Sequence, residues 1–385
     1  MMSDKTVPEK RISIVIPTYQ SKKQLGNTLR ALNRQKGVAD EDFEVIVVDD
    51  GSSDGTCEYV KAIEKNYDFH YIYLERTQGS SRSKTRNTGI MAAKGEIIVF
   101  LDSDILVKED YVSQVLGYFA IDKDILLVGH RIMLTEEVTP EDLSEDNLYS
   151  GEKFRIKSFD NFEVRHALFL DASYNSRRNK YPWIHVYSCN MAVGRELLDR
   201  AGYFDEAFKG WGLEDLELGY RLYKCGAKVI TGVKIEVYHQ PHTTIINNDS
   251  KAQEEREKEV EANTLYFIEK HPEAFDYPTP VVLDYFKGKS NEIRLDIEYG
   301  VKTEIEINFR DRSELDSVKA GILKSTDREN CAVVVYDYVE DTDLDIWIQL
   351  LEGVKTIPRY YPELRGKIIR NIGDADPRVE IYKID

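Results

Sequence analysis

No stretch of this 385-residue sequence approaches the ~20 consecutive apolar residues that a membrane-spanning helix requires. The opening MMSDKTVPEKR has no apolar core of the kind found in secretory leaders. A soluble, cytoplasmic chain is therefore expected, with peripheral attachment through a membrane or protein partner left open. Cysteine is scarce as well: Cys57, Cys189, Cys225 and Cys331 are widely spaced and form no CxxC pair, which excludes a zinc knuckle or disulfide framework and fits a reducing compartment. Positive charge is in deficit, 52 Lys+Arg against 69 Asp+Glu, and the net charge of −17 opposes attraction to nucleic acid or anionic lipid surfaces. Nucleic acid is thus not an expected partner. Internal repeats and low-complexity tracts are also missing.

What is present is enough apolar material for real cores, 42% hydrophobic and 11% aromatic, in a chain long enough for one large domain and one smaller one. Residues 12–16 (ISIVI) and 43–48 (FEVIVV) are continuous β-branched runs, the pattern of strands buried on both faces of a parallel sheet. Between them Leu25, Leu29 and Leu32 make one helical stripe over 22–36. A helix at 55–66, a strand at 69–74, a helix at 82–94 and the strand 97–101 continue the alternation. The first hundred residues thus predict an open, mostly parallel α/β sheet flanked by helices, with ligands at the strand C-termini.

Beyond residue 106 the pattern loosens into a helix at 110–119, a strand at 125–129 and a polar, aromatic stretch at 134–184 that reads as an acceptor-side insertion. Residues 250–271 read as a charged surface helix ending before Pro272. The predicted organisation is a large domain over 1–272, a linker over 273–290 marked by Pro278 and Pro280, and a small α/β domain over 291–385 whose role stays open. Within that small domain, alternation at 293–299 and 303–309 predicts half-buried antiparallel strands. Helices near 313–323 and 343–351 and strands at 331–337, 367–371 and 378–383 follow.

Four constellations carry chemistry. Pro17-Thr18-Tyr19 and Val48-Asp49-Asp50-Gly51-Ser52-Ser53-Asp54-Gly55 end two neighbouring strands, where a ring and carboxylates can stack on and hydrogen-bond a base such as uracil. The bland alternative is a helix-starting turn. Asp102-Ser103-Asp104 follows the buried strand 97–101; side chains two apart on an extended segment point the same way, and hard oxygen ligands select Mg²⁺ or Mn²⁺. In isolation such a run is equally a solvated turn. In Lys209-Gly210-Trp211-Gly212-Leu213-Glu214-Asp215-Leu216-Glu217, glycines around a Trp admit a sugar face and an acidic cluster opens a helix; core Trp and ordinary first-turn acids are the alternative. Val237-Tyr238-His239-Gln240-Pro241-His242 adds two imidazoles, borderline metal ligands beside carboxylates.

SIVIPTYQ, VVDDGSSDGT, TRNTGI, FLDSD and GWGLEDLELGYRL, in this order over about residues 11–242, together resemble the family 2 glycosyltransferases of the A-type (GT-A) fold. The resemblance implies that Pro17, Tyr19 and Asp50 line a nucleoside pocket and that Arg86 and Asn87 approach the donor. It further implies that Asp102 and Ser103 face the donor, and that Asp102, Asp104 and His239, or His242 in its place, hold Mn²⁺ or Mg²⁺. The GWGxED segment is similar to that of capsule and chondroitin-type polymerases and galactosyltransferases. This implies Trp211, Gly212 and Glu214 at the acceptor and Asp215 as general base, in transfer from a UDP-sugar to a saccharide, lipid-linked or peptide acceptor. Retaining peptide N-acetylgalactosaminyltransferases carry Asn at the position of Asp215, so inversion is expected. A nucleotidylyltransferase is disfavoured because Pro17-Thr18-Tyr19-Gln20-Ser21 replaces a Gly-rich loop, and a non-catalytic scaffold because every expected acid is present. Oligomeric state cannot be read from the sequence.

Overall fold

The computed structural model describes residues 10–143, 149, 151–155, 161, 163, 165, 169, 176, 179–241, 250–290, 293, 303–326, 331–337 and 378–382. In chain order the first elements are β1 (Lys10–Thr18), α1 (Lys22–Leu32), β2 (Phe43–Asp49), α2 (Thr56–Ala62), β3 (Asp68–Tyr73), α3 (Arg82–Ala92), β4 (Gly95–Leu101), β5 (Ile105–Val107) and α4 (Tyr111–Ile121). Then come β6 (Ile125–Val128), β7 (Arg131–Met133), β8 (Asn190–Gly194), α5 (Arg195–Ala201), α6 (Glu214–Lys224), β9 (Lys228–Thr231), β10 (Val237–His239), α7 (Ser250–Lys270) and α8 (Thr279–Phe286). The last elements are β11 (Thr303–Phe309), α9 (Leu315–Thr326), β12 (Cys331–Asp337) and β13 (Arg378–Tyr382).

Seven strands form the main sheet in the order β3-β2-β1-β4-β8-β6-β9. β1, β2, β3 and β4 run parallel, while β8 is antiparallel to both β4 and β6. Every residue of β2 is buried, as its apolar run requires; of its two acids, Glu44 accepts from Ser13 Oγ at 2.6 Å and Asp49 ends the strand. Because β1 has β2 on one side and β4 on the other, the C-terminal ends of all three open on one crevice, the place where such sheets bind ligands. A second, three-stranded sheet, β5-β10-β7, is anchored next to it and brings His239 opposite Ile105 and beside Met133.

A third apolar cluster lies under α6, α7 and α8. Trp183 stacks on Phe267 at 5.5 Å, and Phe275 and Val282 pack into the same group. This corrects two expectations. Residues 273–290 are not a bare linker, since their apolar side chains are numerous enough to bury α8 against the large domain. The charge-rich helix α7 is also more than a solvated surface helix: Val260 and Phe267 are buried, and its polar residues serve the site described below. In the C-terminal region β11 pairs with β12 in parallel, not antiparallel, because α9 forms the crossover between them, and β12 pairs antiparallel with β13. The strands expected at 293–299 and 367–371, the helix at 343–351 and His242 lie outside the described residues. Among the described residues, no helix is long and apolar enough to cross a membrane.

Candidate active site

At the crevice edge the Arg76 guanidinium lies 3.8 Å over the half-exposed Tyr19 ring and donates to Asp50 at 2.5 Å. Asp49 accepts from the Ser52 backbone N–H at 2.7 Å and from the Tyr71 hydroxyl, which holds the turn in place. Gly51 is required there: its φ is +83°, and a Cβ would lie 2.6 Å from Arg76 Cβ. Tyr19 and Asp50 thus present a flat ring and an acid at one spot, with Pro17 on the strand leading into it. Arg76 was not identified from the sequence. The only signal was positional, since the loop after β3 emerges beside Asp49, opposite Tyr73 in the register.

Arg86, almost wholly buried, bridges two acids: one terminal nitrogen donates to Glu214 at 3.1 Å and the other to Asp102 at 3.2 Å. This joins the end of β4 to the start of α6, segments 112 positions apart by their numbers, 214 − 102. A buried guanidinium between two carboxylates is a strongly directed arrangement, because its fork fits both partners. Asn87 does not reach the cavity; its amide bonds the Phe204 carbonyl and Glu206 and accepts from the Phe204 N–H, each at 2.9 Å. That role is to pin the 204–206 segment to α3. Ser103 accepts from Thr28 Oγ1 through its carbonyl at 2.9 Å.

Asp104 Oδ2 and His239 Nε2 lie 3.6 Å apart, both largely buried. Two ligands of one ion, each about 2.1 Å from it, are separated by roughly 3.0–3.6 Å, so the pair fits a divalent cation whose other ligands come from water and substrate phosphate. Asp102 turns instead to Arg86, and among the described residues no three His, Cys, Asp or Glu side chains are clustered as a closed cage.

The GWGLED loop has a backbone that few sequences could adopt. Gly210, Gly212 and Leu213 have φ of +67°, +95° and +72°, and Leu213, the residue that starts α6, is held in this unfavourable region by burial of its side chain. α7 clamps the loop from outside. Asn263 Nδ2 donates to the carbonyls of Lys209 at 2.9 Å and Gly212 at 2.8 Å, and Glu259 accepts the Trp211 N–H at 3.0 Å. Trp211 is left half-exposed, not buried in the core, which makes it a platform beside the cavity.

That cavity measures about 650 Å³ and is lined by Asp102, Arg86, Trp211, Gly212, Glu214 and Asp215 among others. Asp215 accepts the Ser188 and Leu216 backbone N–H groups at 3.1 and 2.9 Å. Burial, reinforced by the neighbouring Glu214 charge, raises its pKa to about 6 despite Arg86 and these donors. Glu217, on the next turn, points elsewhere: it is buried against Arg221, Lys270 and His271. Cys189 also lines the cavity, but burial pushes its thiol up to about 12, so it stays protonated and is no nucleophile. Arg131, Arg165 and Tyr187 complete one wall and were not singled out from the sequence, because they sit among isolated polar residues with no local pattern.

Comparison with known proteins agrees with this geometry. Residues 13–200 match the family model for glycosyl transferase family 2, and residues 170–243 match the N-terminal domain of galactosyltransferase. Validoxylamine A glucosyltransferase of Streptomyces hygroscopicus subsp. limoneus is 30% identical over 275 residues, which is 68% of this chain and 57% of that protein. Chondroitin synthase of Escherichia coli is 32% identical over 243 residues, 60% of this chain and 34% of that protein. Hyaluronan synthase of Pasteurella multocida is 29% identical over 239 residues, 60% and 24% of the two chains. The match thus spans between a quarter and somewhat over half of these relatives' lengths. The parallel β1–β4 core, the crevice at its strand ends and the family match agree: residues 13–200 of this chain belong to glycosyl transferase family 2 and are built as a GT-A fold.

Proposed function

We propose that this protein is an inverting, divalent-metal-dependent transferase that moves a hexose or N-acetylhexosamine from a UDP-sugar to a saccharide, lipid-linked or peptide acceptor. The observation that carries the proposal is Asp215: a carboxylate of raised basicity at the wall of the cavity, oriented by two backbone donors. In this reading an acceptor hydroxyl gives its proton to Asp215 as its oxygen bonds to the anomeric carbon. The bond from that carbon to the diphosphate breaks on the opposite face, and the electron pair leaves with UDP. One displacement inverts the configuration.

The remaining residues take positioning roles. Tyr19, Asp50 and Arg76 hold the base, with Pro17 behind them, while Arg86 holds Asp102 and Glu214 in place through its two terminal nitrogens. Asp102 and Ser103 face the donor, and Trp211 and Gly212 admit the sugar face, with the unbridged Glu214 oxygen available to acceptor hydroxyls. Mn²⁺ or Mg²⁺, held by Asp104 and His239, would supply the positive charge that a departing diphosphate needs. A glucosyltransferase among the relatives supports a hexose donor.

The test is incubation of the full chain with a panel of UDP-sugars and candidate acceptors. UDP release would be measured, products weighed by mass spectrometry, and the anomeric configuration read by NMR. Inverted glycoside and free UDP are expected. Pyrophosphate exchange, a retained anomer, or binding without turnover would each overturn the assignment.

A further inference from the structure

The cavity is also lined by an arginine that the mechanism above leaves unused. Arg131, on β7, donates its backbone N–H to Glu163 at 2.8 Å and its Nε to the same carboxylate at 3.1 Å. Glu163 is buried and is gripped a second time by Arg165, at 2.7 and 3.0 Å. Arg165 is itself committed: it donates to the carbonyls of His185 at 2.6 Å and Gly129 at 3.0 Å, and lies 4.2 Å over the Tyr187 ring. One carboxylate therefore serves two guanidinium groups, and a positive charge is left over on this wall.

The surplus is on Arg131. Among the described residues its two terminal nitrogens donate to no protein group, and its side chain remains 18% exposed where it lines the cavity. Its backbone pairs with Val237, two positions before the Met133–His239 pair, so Arg131 and His239 share one face of the small sheet. The same cavity is lined by Asp102 and Asp215. A guanidinium fixed through Nε, with the terminal fork open, suits bidentate capture of a planar carboxylate or of phosphate oxygens. A free lysine would lack both the fork and the fixation.

We propose that Arg131, held by Glu163, is an oxyanion-binding residue of the transfer cavity, taking a phosphate or carboxylate oxygen pair from one of the substrates. The inference rests on the glycosyltransferase reading above. The oxyanion has two sources within that reading. It is either the diphosphate of the donor, reached along the face shared with His239, or an acidic group on the acceptor, reached along the side of Asp215.

Calorimetric titration of the full chain and of Arg131→Gln decides the matter, with four probes: UDP in the presence of Mn²⁺, uridine, inorganic phosphate and glucuronate, the last two added to UDP-saturated protein. Uridine binding should be unchanged in the variant. A loss of about tenfold in affinity confined to UDP places the donor diphosphate on Arg131, and the same loss confined to phosphate or glucuronate places an acidic acceptor there. Arg131→Lys keeps a charge beside Glu163 and guards against misfolding; it should bind the affected probe more weakly than wild type and more tightly than Arg131→Gln. Wild-type affinity for all four probes in both folded variants would overturn the proposal. If the wild-type chain itself ignores UDP and uridine, the UDP-sugar reading falls, and phosphate and glucuronate titrations of the protein without UDP decide for or against the Arg131 site.

Discussion

Asp215 takes the backbone N–H of Ser188 at 3.1 Å, a bond between the first turn of α6 and a residue 27 positions upstream. The Ser188 hydroxyl donates to the same oxygen at 3.4 Å, so the aim of the carboxylate is set by how the two segments pack, with the Ser188 side chain reinforcing the backbone donor. Glu214, its neighbour, is turned about 100° around the helix and answers to Arg86 instead. The two acids are thereby separated into different tasks.

That separation predicts different kinetics. Asp215→Asn keeps the size and much of the hydrogen bonding but cannot accept a proton, so kcat should fall by roughly 10²–10⁴ with UDP affinity unchanged. Glu214→Gln should raise the acceptor KM more than it lowers kcat. Steady-state kinetics of both variants on one acceptor check this; a near-normal kcat in Asp215→Asn beside an inactive Glu214→Gln would move the base to Glu214.

The pKa of about 6 at Asp215 gives a pH dependence of two kinds. Activity should rise through pH 6 as the base ionises. For stability the sign is opposite: the folded-state pKa is raised above the unfolded value, so the folded protein holds this proton more tightly. The charged form then destabilises the fold, increasingly as pH climbs from about 4 to above 6. Asp215→Asn should accordingly melt at a higher temperature than wild type at pH 8, with the difference gone near pH 4. Thermal melts across that range measure it, and an equal or lower Tm for the variant at pH 8 would contradict the buried-charge account.

Metal dependence follows from the Asp104–His239 pair. Chelation should abolish transfer and Mn²⁺ or Mg²⁺ restore it, while Asp104→Ala and His239→Ala should each weaken Mn²⁺ binding measured by calorimetry. Full turnover in excess chelator would remove the metal from the mechanism.

The left-handed loop offers a structural test. Gly210→Ala places a methyl 2.3 Å from the Glu259 carboxyl carbon at a φ of +67°. The conformational part alone should destabilise by about 1–2 kcal/mol, and displacement of Trp211 should raise the acceptor KM. Denaturant melts and kinetics would show both; an unchanged KM would mean that Trp211 does not contact the acceptor.

The packing of α8 sets where the chain can be cut. A protein ending at residue 290 should stay folded and hydrolyse donor slowly, while losing acceptor transfer or oligomeric state if the C-terminal region serves those ends. One ending at residue 270 should be insoluble or unstable, since it loses Phe275 and Val282 from the third apolar cluster. Circular dichroism and limited proteolysis of the two proteins separate these outcomes. Full activity of the 290-residue chain on its native acceptor would deny the C-terminal region a part in transfer.

Local sequence was sufficient wherever a periodicity or a strand end carried the information. The runs ISIVI and FEVIVV and the leucine stripe of α1 read correctly, because continuous burial leaves a mark within a few residues. It was insufficient where a polar residue takes its meaning from a distant partner. Nothing around Arg76, Glu163, Glu259 or Asn263 marks them, and Asn87 read as donor-facing although its amide is spent on Phe204 and Glu206. The same reason explains α7, whose charges suggested a solvated face while Val260 and Asn263 met a loop some fifty residues upstream.

The sequence by itself therefore determined the parallel β1–β4 part of the sheet, since that follows from burial patterns along the chain, while the antiparallel insertion of β8 between β4 and β6 came only with the fold. Only the tertiary structure decided which acid faces the cavity with a raised pKa, which one Arg86 restrains, and which arginine keeps its fork open. Those properties depend on desolvation and on opposite charges within a few ångströms. Residues far apart in the chain supply both, so no local pattern can encode them.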